Sequence, residues 1–141
     1  MPTIKTFEWN NQFNIGIYEI DEQHKNLVML TNEALESIHQ NQNNETTSII
    51  IYELAEYIWA HFQTEEKWMQ NCGYPGYLAH QQEHQWLARN VAQFQKKSPP
   101  DFTEICEFMQ QWLIDHIMSS DQHFGDFLKM SSRAENPSPT L

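Results

Sequence analysis

Basic residues are scarce in this 141-residue chain: Lys and Arg total 8 against 19 Asp and Glu, a formal net charge of -11. A surface so short of positive charge repels phosphate, which excludes nucleic acid and anionic membrane as partners. Long apolar runs are also missing. No stretch approaches the ~18 to 20 uninterrupted apolar residues of a membrane span. Met1-Pro2-Thr3-Ile4-Lys5 is followed by Glu8, Asn10 and Asn11 rather than by the apolar segment of a secretory signal. The expected location is therefore cytoplasmic. Cysteine is limited to Cys72 and Cys106, in no CxxC arrangement, so neither a redox motif nor a zinc knuckle is available and free thiols are expected. With only 4 glycines and 6 prolines the chain has few breaks, which favours long helices over many short strands. The length suits one domain with a proper core.

What is present is helical periodicity. The opening residues, to about 19, mix apolar Phe7, Trp9, Phe13, Ile15 and Tyr18 with polar positions and read as an arm lying on the domain. Ile20, His24, Leu27, Val28, Thr31, Leu35 and Ile38 then recur at steps of three and four, predicting a first helix over about 20–39 with Asp21 as its N-cap. After a polar turn at Asn41-Gln42-Asn43-Asn44-Glu45, a second stripe runs through Ile51, Leu54, Ile58, His61, Glu65 and Trp68 or Met69, ending before Cys72-Gly73. A third holds Tyr77, His80, His84, Leu87, Val91 and Phe94 and is closed by Ser98-Pro99-Pro100. A fourth starts near Asp101, carries Ile105, Cys106, Met109, Trp112, Leu113 and His116, and extends toward Phe127 with an irregularity. The expected fold is all-α: an antiparallel up-down four-helix bundle over residues 1–130, with an N-terminal arm and a short C-terminal helical extension. Residues 131–141, rich in Ser, Pro and Asn, are expected to be a disordered tail.

Each apolar stripe is interrupted, and the interruptions are metal-ligand types. His61 and Glu65 stand i,i+4, as do His80 and His84, so each pair projects from one face a turn apart and can grip one ion. His24 and His116 add one inward histidine each from the first and fourth helices, leaving His39 and His123 on the surface. A lone core histidine is ordinarily a hydrogen-bonded packing residue. Five on facing stripes, joined by a carboxylate, would cost several kcal/mol unless something common satisfied them. A metal centre does so, and the donors are too many for one four-coordinate zinc; with no thiolate among them, a pair of iron or manganese ions is favoured. Glu66 and Glu83, next to these residues in sequence, fall off the same face and read as solvated; Cys106 reads as a small core residue.

The segments Ile20-Asp21-Glu22-Gln23-His24, His61-Phe62-Gln63-Thr64-Glu65-Glu66, His80-Gln81-Gln82-Glu83-His84 and Trp112-Leu113-Ile114-Asp115-His116, followed by Asp121, resemble the hemerythrin family, and in their Asp-Glu-Gln-His form its bacterial branch, the bacteriohemerythrins. The likeness runs from about Trp9 to about Phe127. It implies two non-haem iron ions (Fe2+/Fe3+) with a bridging oxide or hydroxide: His80, His84 and His116 on one iron, His24 and His61 on the other, Glu65 and Asp121 bridging both. Periodicity alone would not select Asp121. Five residues past His116 is ~140° away around a straight helix, so the resemblance requires the fourth helix to deform between Ile117 and Ser120.

Counted over two octahedral ions, five histidines, two bridging carboxylates and one bridging oxide or hydroxide fill all but one position. The resemblance implies that this vacancy, on the iron with His24 and His61, takes O2 reversibly while both irons pass from ferrous to ferric; NO or azide could occupy the same place. Leu27, Phe62, Trp112 and Ile117 resemble the family's oxygen-pocket residues, and Trp9 is a candidate cap. The expected role is O2 transport, storage or delivery to an oxidase or oxygenase, by a protein that is not an enzyme and is a monomer. The alternatives are an O2, NO or redox sensor, which would need a separate partner, and a di-iron oxidase or peroxidase. Sites of the latter kind rest on Glu plus repeated Glu-x-x-His pairs, whereas histidine dominates these stripes.

Overall fold

The computed structural model describes residues 7–40, 43–97 and 99–135. The four stripes form four long helices, α1 (Tyr18–His39), α2 (Asn44–Cys72), α3 (Tyr77–Gln95) and α4 (Phe102–His116). From α4 the chain passes through a π-helical stretch, Ile117–Asp121, into α5 (Gln122–Glu135), and a short 3-10 turn, Asn11–Phe13, lies in the arm. Among the described residues there is no strand, and no helix is long and apolar enough to cross a membrane.

Local chemistry sets the ends of these helices. The Asn43 side chain accepts from Thr46 N at 2.8 Å and Asp101 from Glu104 N at 3.0 Å, each satisfying an otherwise unpaired N–H. Gly73, with φ 69°, closes α2 in the left-handed region, and Tyr74 N reaches back to Met69 O at 2.9 Å. Asp21 does not cap α1, which begins three residues earlier at Tyr18 behind Ile17. From the first turn its carboxylate instead accepts Ile15 N at 2.7 Å and Gly16 N at 3.2 Å, and so ties the arm to the bundle.

Cross-helix pairs run in opposite directions along each neighbouring pair of helices. Ser37 meets Thr47 and Asn26 meets Tyr57 between α1 and α2; Gln70 meets Tyr77 and Glu66 meets Gln81 between α2 and α3; Phe94 and His84 meet Phe108 and His116 between α3 and α4. The bundle is therefore antiparallel, and α4 closes it against α1. Two apolar clusters fill it. The larger is built around Leu35, Leu54, Leu87 and Met109, and includes Cys106, whose thiol burial pushes up to about 12. The smaller comprises Ile15, Ile20, Met69 and Phe124. Each fully buried Leu, Ile or Phe contributes roughly 1.5–3 kcal/mol, which is what allows a band of polar side chains to sit between the clusters.

The arm is pressed against α5: a Cβ placed on Gly125 would lie 2.6 Å from the Ile15 carbonyl oxygen, so that contact admits only glycine without a shift. Helix α5 continues to Glu135, past residue 130, where the sequence suggested the ordered part would end. Residues 136–141 of the expected tail lie outside the described residues.

Candidate metal centre

Between the two apolar clusters every long helix turns ligand-type side chains inward. His24 comes from α1, His61 and Glu65 from successive turns of α2, His80 and His84 from successive turns of α3, and His116 from the end of α4. The π stretch that follows adds one residue to a turn, and this brings Asp121 onto the inner side with His116. The deformation expected between Ile117 and Ser120 is thus present. The least buried of the seven, His116, is 5% exposed, and Glu65 and Asp121 are fully buried. His39 and His123 are on the surface.

The inward atoms fall into two groups, Glu65 with His80, His84 and His116, and His24 with His61, Glu65 and Asp121. In the first, His116 Nε2 lies 2.9 Å from His80 Nε2 and 3.2 Å from His84 Nε2. In the second, His24 Nε2 and His61 Nε2 are 3.1 Å apart. Both carboxylates straddle the groups. Glu65 turns Oε1 to the first, touching His80 and lying 3.3 Å from His84, and Oε2 to the second, 3.1 Å from His61. Asp121 places Oδ1 3.0 Å from His80 and 3.1 Å from His116, and Oδ2 3.0 Å from His24.

These contacts do not satisfy the atoms that make them. Glu65 Oε2 and both Asp121 oxygens are buried with no hydrogen bond, a costly state for a carboxylate. Several ring nitrogens face one another at distances where a neutral pair can share only one proton. Neighbouring donors on a six-coordinate ion with bonds of about 2.0–2.1 Å lie about 3 Å apart, and that is the spacing found. The donor set fits metal ions.

Electrostatics carry the same message. Burial alone would keep His24 and His80 neutral, yet Asp121 and Glu65 overcome it and raise both from 6.5 to about 9; His116 is also raised well above its ordinary value. At His61 burial wins over Glu65 and the pKa falls. Against burial, the surrounding imidazoles hold Glu65 well below the usual carboxylate range and depress Asp121 too. The pocket demands positive charge, which protons supply weakly and cations would supply directly.

On their outer edges three of the imidazoles have partners that the periodicity did not reveal. His84 Nδ1 meets Glu66 Oε2 at 2.8 Å, His116 Nδ1 meets Glu83 Oε2 at 3.0 Å, and His61 Nδ1 meets Gln23 Oε1 at 2.8 Å. Glu66 and Glu83 are thus not merely solvated: each reaches sideways to a histidine on the next helix. The bond to His116 holds Glu83 down to about 2, and the bond to His84 lowers Glu66 against partial burial. Such acceptors fix the tautomer and aim of a metal-binding imidazole. A signal did exist, namely a carboxylate one residue from a candidate ligand on both α2 and α3.

Two of the four expected pocket residues lie against these histidines. Phe62 stacks on His84 at 3.7 Å and meets Trp112 edge-on at 5.7 Å; Trp112 stacks on His116 at 4.4 Å. Leu27 and Ile117 are buried, Trp112 half-buried. Trp9 brings its indole to 6.4 Å from the His24 ring, with its buried Nε1 unpartnered.

An antiparallel four-helix bundle with a buried, two-lobed His/Glu/Asp cluster defines the class: an all-helical metal-binding domain. Comparison with known proteins then identifies the family. The profile described as "Hemerythrin HHE cation binding domain" matches residues 15–128, and the chain belongs to the hemerythrin family. It is 30% identical over 124 residues to a bacteriohemerythrin of Stenotrophomonas maltophilia, covering 86% of this chain and 80% of that protein. A bacteriohemerythrin of Clostridium acetobutylicum is 28% identical over 128 residues, 85% of this chain and 99% of the relative. A hemerythrin-like protein of Naegleria gruberi is 26% identical over 122 residues, 86% and 93% of the two chains.

Proposed function

We propose that the centre holds two non-haem iron ions and binds O2 reversibly. His80, His84 and His116 would hold one ion, His24 and His61 the other, and Glu65 and Asp121 would bridge them with an oxide or hydroxide. The observation that carries this reading is the pair of straddling carboxylates between unequal sets of three and two imidazoles. It leaves the two-histidine side one donor short. When bound, the iron pair supplies the vacant position and the electrons that O2 needs.

The chain's own groups do the rest. Leu27, Phe62, Trp112 and Ile117 exclude water and offer no acid to a bound ligand, which favours release over further oxidation. Glu66, Glu83 and Gln23 hold imidazoles in place from outside. The role is that of an O2 carrier rather than an enzyme, working as a cytoplasmic monomer.

A metal assay with visible spectra taken reduced, in air and after purging with inert gas tests the reading. About two irons per chain, with a charge-transfer band that appears with O2 and fades on purging, is the expected result. Irons that turn ferric irreversibly and release peroxide would replace the carrier by an oxidase, peroxidase or redox sensor; absence of iron would remove the centre.

A further inference from the structure

Behind Phe62, between α2, α3 and α4, lies a cavity of about 160 Å³. Its floor is Ile58, Phe62, Leu87 and Met109, all buried, and it opens at a rim formed by Trp59, Ala92 and Gln95. The small side chains Ala55 and Ala88 leave the space that larger residues would fill. Apart from Gln95, the Trp59 indole nitrogen and the Met109 thioether its side chains are hydrocarbon, so a polar molecule entering it would surrender hydration for few partners. Enclosed apolar cavities of about 150 Å³ take benzene or xenon, and this pocket, open at its rim, has that size. One wall is shared with the centre: the Phe62 ring that lines the cavity stacks on His84 at 3.7 Å and lies 6.0 Å from the His61 ring. A single aromatic ring thus separates the cavity from the histidine cluster.

We propose that this cavity is a binding site for small apolar gas molecules, and that O2 collects there and passes Phe62 on its way to the centre. The O2 role rests on the function proposed above; the ligand class rests on the cavity alone. Rotation of a buried ring such as Phe62 is a smaller event than opening the bundle, so access on this side needs no movement of a helix.

Two measurements test it. In 13C-methyl spectra of the full chain under rising xenon pressure, the methyls of Ala88, Leu87 and Val91 should shift saturably while those of the smaller apolar cluster do not. Uniform or unsaturating shifts would overturn the site. In the iron-loaded protein, Ala88→Phe should abolish the xenon response and slow O2 association and dissociation by one common factor, roughly threefold or more, leaving the equilibrium affinity in place. Ala92→Phe, at the exposed rim, serves if Ala88→Phe loses its helical circular dichroism. Unchanged O2 rates in a variant that no longer takes xenon would overturn the access role. Xenon uptake in a protein that shows no O2 binding would overturn the function proposed above and leave the gas site standing.

Discussion

The two lobes of the centre share two carboxylates and little else. In the three-histidine lobe the outer nitrogens of His84 and His116 face the carboxylates Glu66 and Glu83, and both rings lie flat against aromatic partners, Phe62 and Trp112. In the two-histidine lobe His61 is backed by the neutral amide of Gln23, and the buried His24 Nδ1 has no hydrogen-bond partner. Either acceptor fixes the tautomer, but an imidazole backed by an anion is the stronger donor than one backed by a neutral amide oxygen. On the function proposed above, this difference would let one bundle offer two unlike metal positions, one with three imidazoles and anionic backing, the other a donor short and more weakly supported. Carboxylates that reach both lobes would then couple a change at the second to the first.

The largest effect should come from removing an imidazole outright. His116→Ala and His61→Ala should each cut the iron content, measured by mass spectrometry of digested protein, from about two per chain to about one or fewer. His39→Ala, at an exposed position, should leave it unchanged, and equal loss in all three would end the assignment. Leu27→Ala should cost about 2–5 kcal/mol in denaturant unfolding, since Leu27 is fully buried, and should speed autoxidation by opening the wall beside His24.

The contrast between the lobes is probed directly by Glu66→Gln and Glu83→Gln. Each should weaken metal affinity about 10–100-fold in competition with a chelator, while Gln23→Leu should do less. A larger loss from Gln23→Leu would reverse the ranking of the lobes. The smallest effect is one of pH on the metal-free protein. His24 and His80 are raised from 6.5 to about 9, so the folded chain binds more protons than the unfolded one between those values. Their contribution is complete below about 6.5 and is lost as pH rises through about 9. Thermal scans of metal-free protein should show the midpoint falling across that window, and iron loading, which displaces those protons, should flatten the slope.

The legible part of the site is the part written along single helices. Five histidines and Glu65 could be assigned to inner faces because a step of three or four residues returns a side chain to one face whatever the helix packs against. Asp121 was reachable only through the family likeness, because its position depends on a π turn and a straight helix would carry it ~140° away from His116. Glu83 is exposed and Glu66 partly so, as the periodicity implies, but their contacts with histidines escape the sequence for a different reason. Each lies off its own helix's inner face, and its partner belongs to the next helix. Asp21 has the residue type of a cap, yet its carboxylate serves the arm through Ile15 and Gly16, a role that depends on where the arm lies.

Four amphipathic helices, their order, the inward histidines and the strong excess of negative charge can be read from the sequence alone. Those properties follow from local periodicity and summed charge, which need no knowledge of neighbours. Only the tertiary structure decided that Glu65 and Asp121 straddle two lobes, that anions back one lobe and an amide the other, and that a cavity opens behind Phe62. Each depends on the axial register between helices, set by the packing of the whole core, and a shift of one turn, about 5.4 Å, would undo all three.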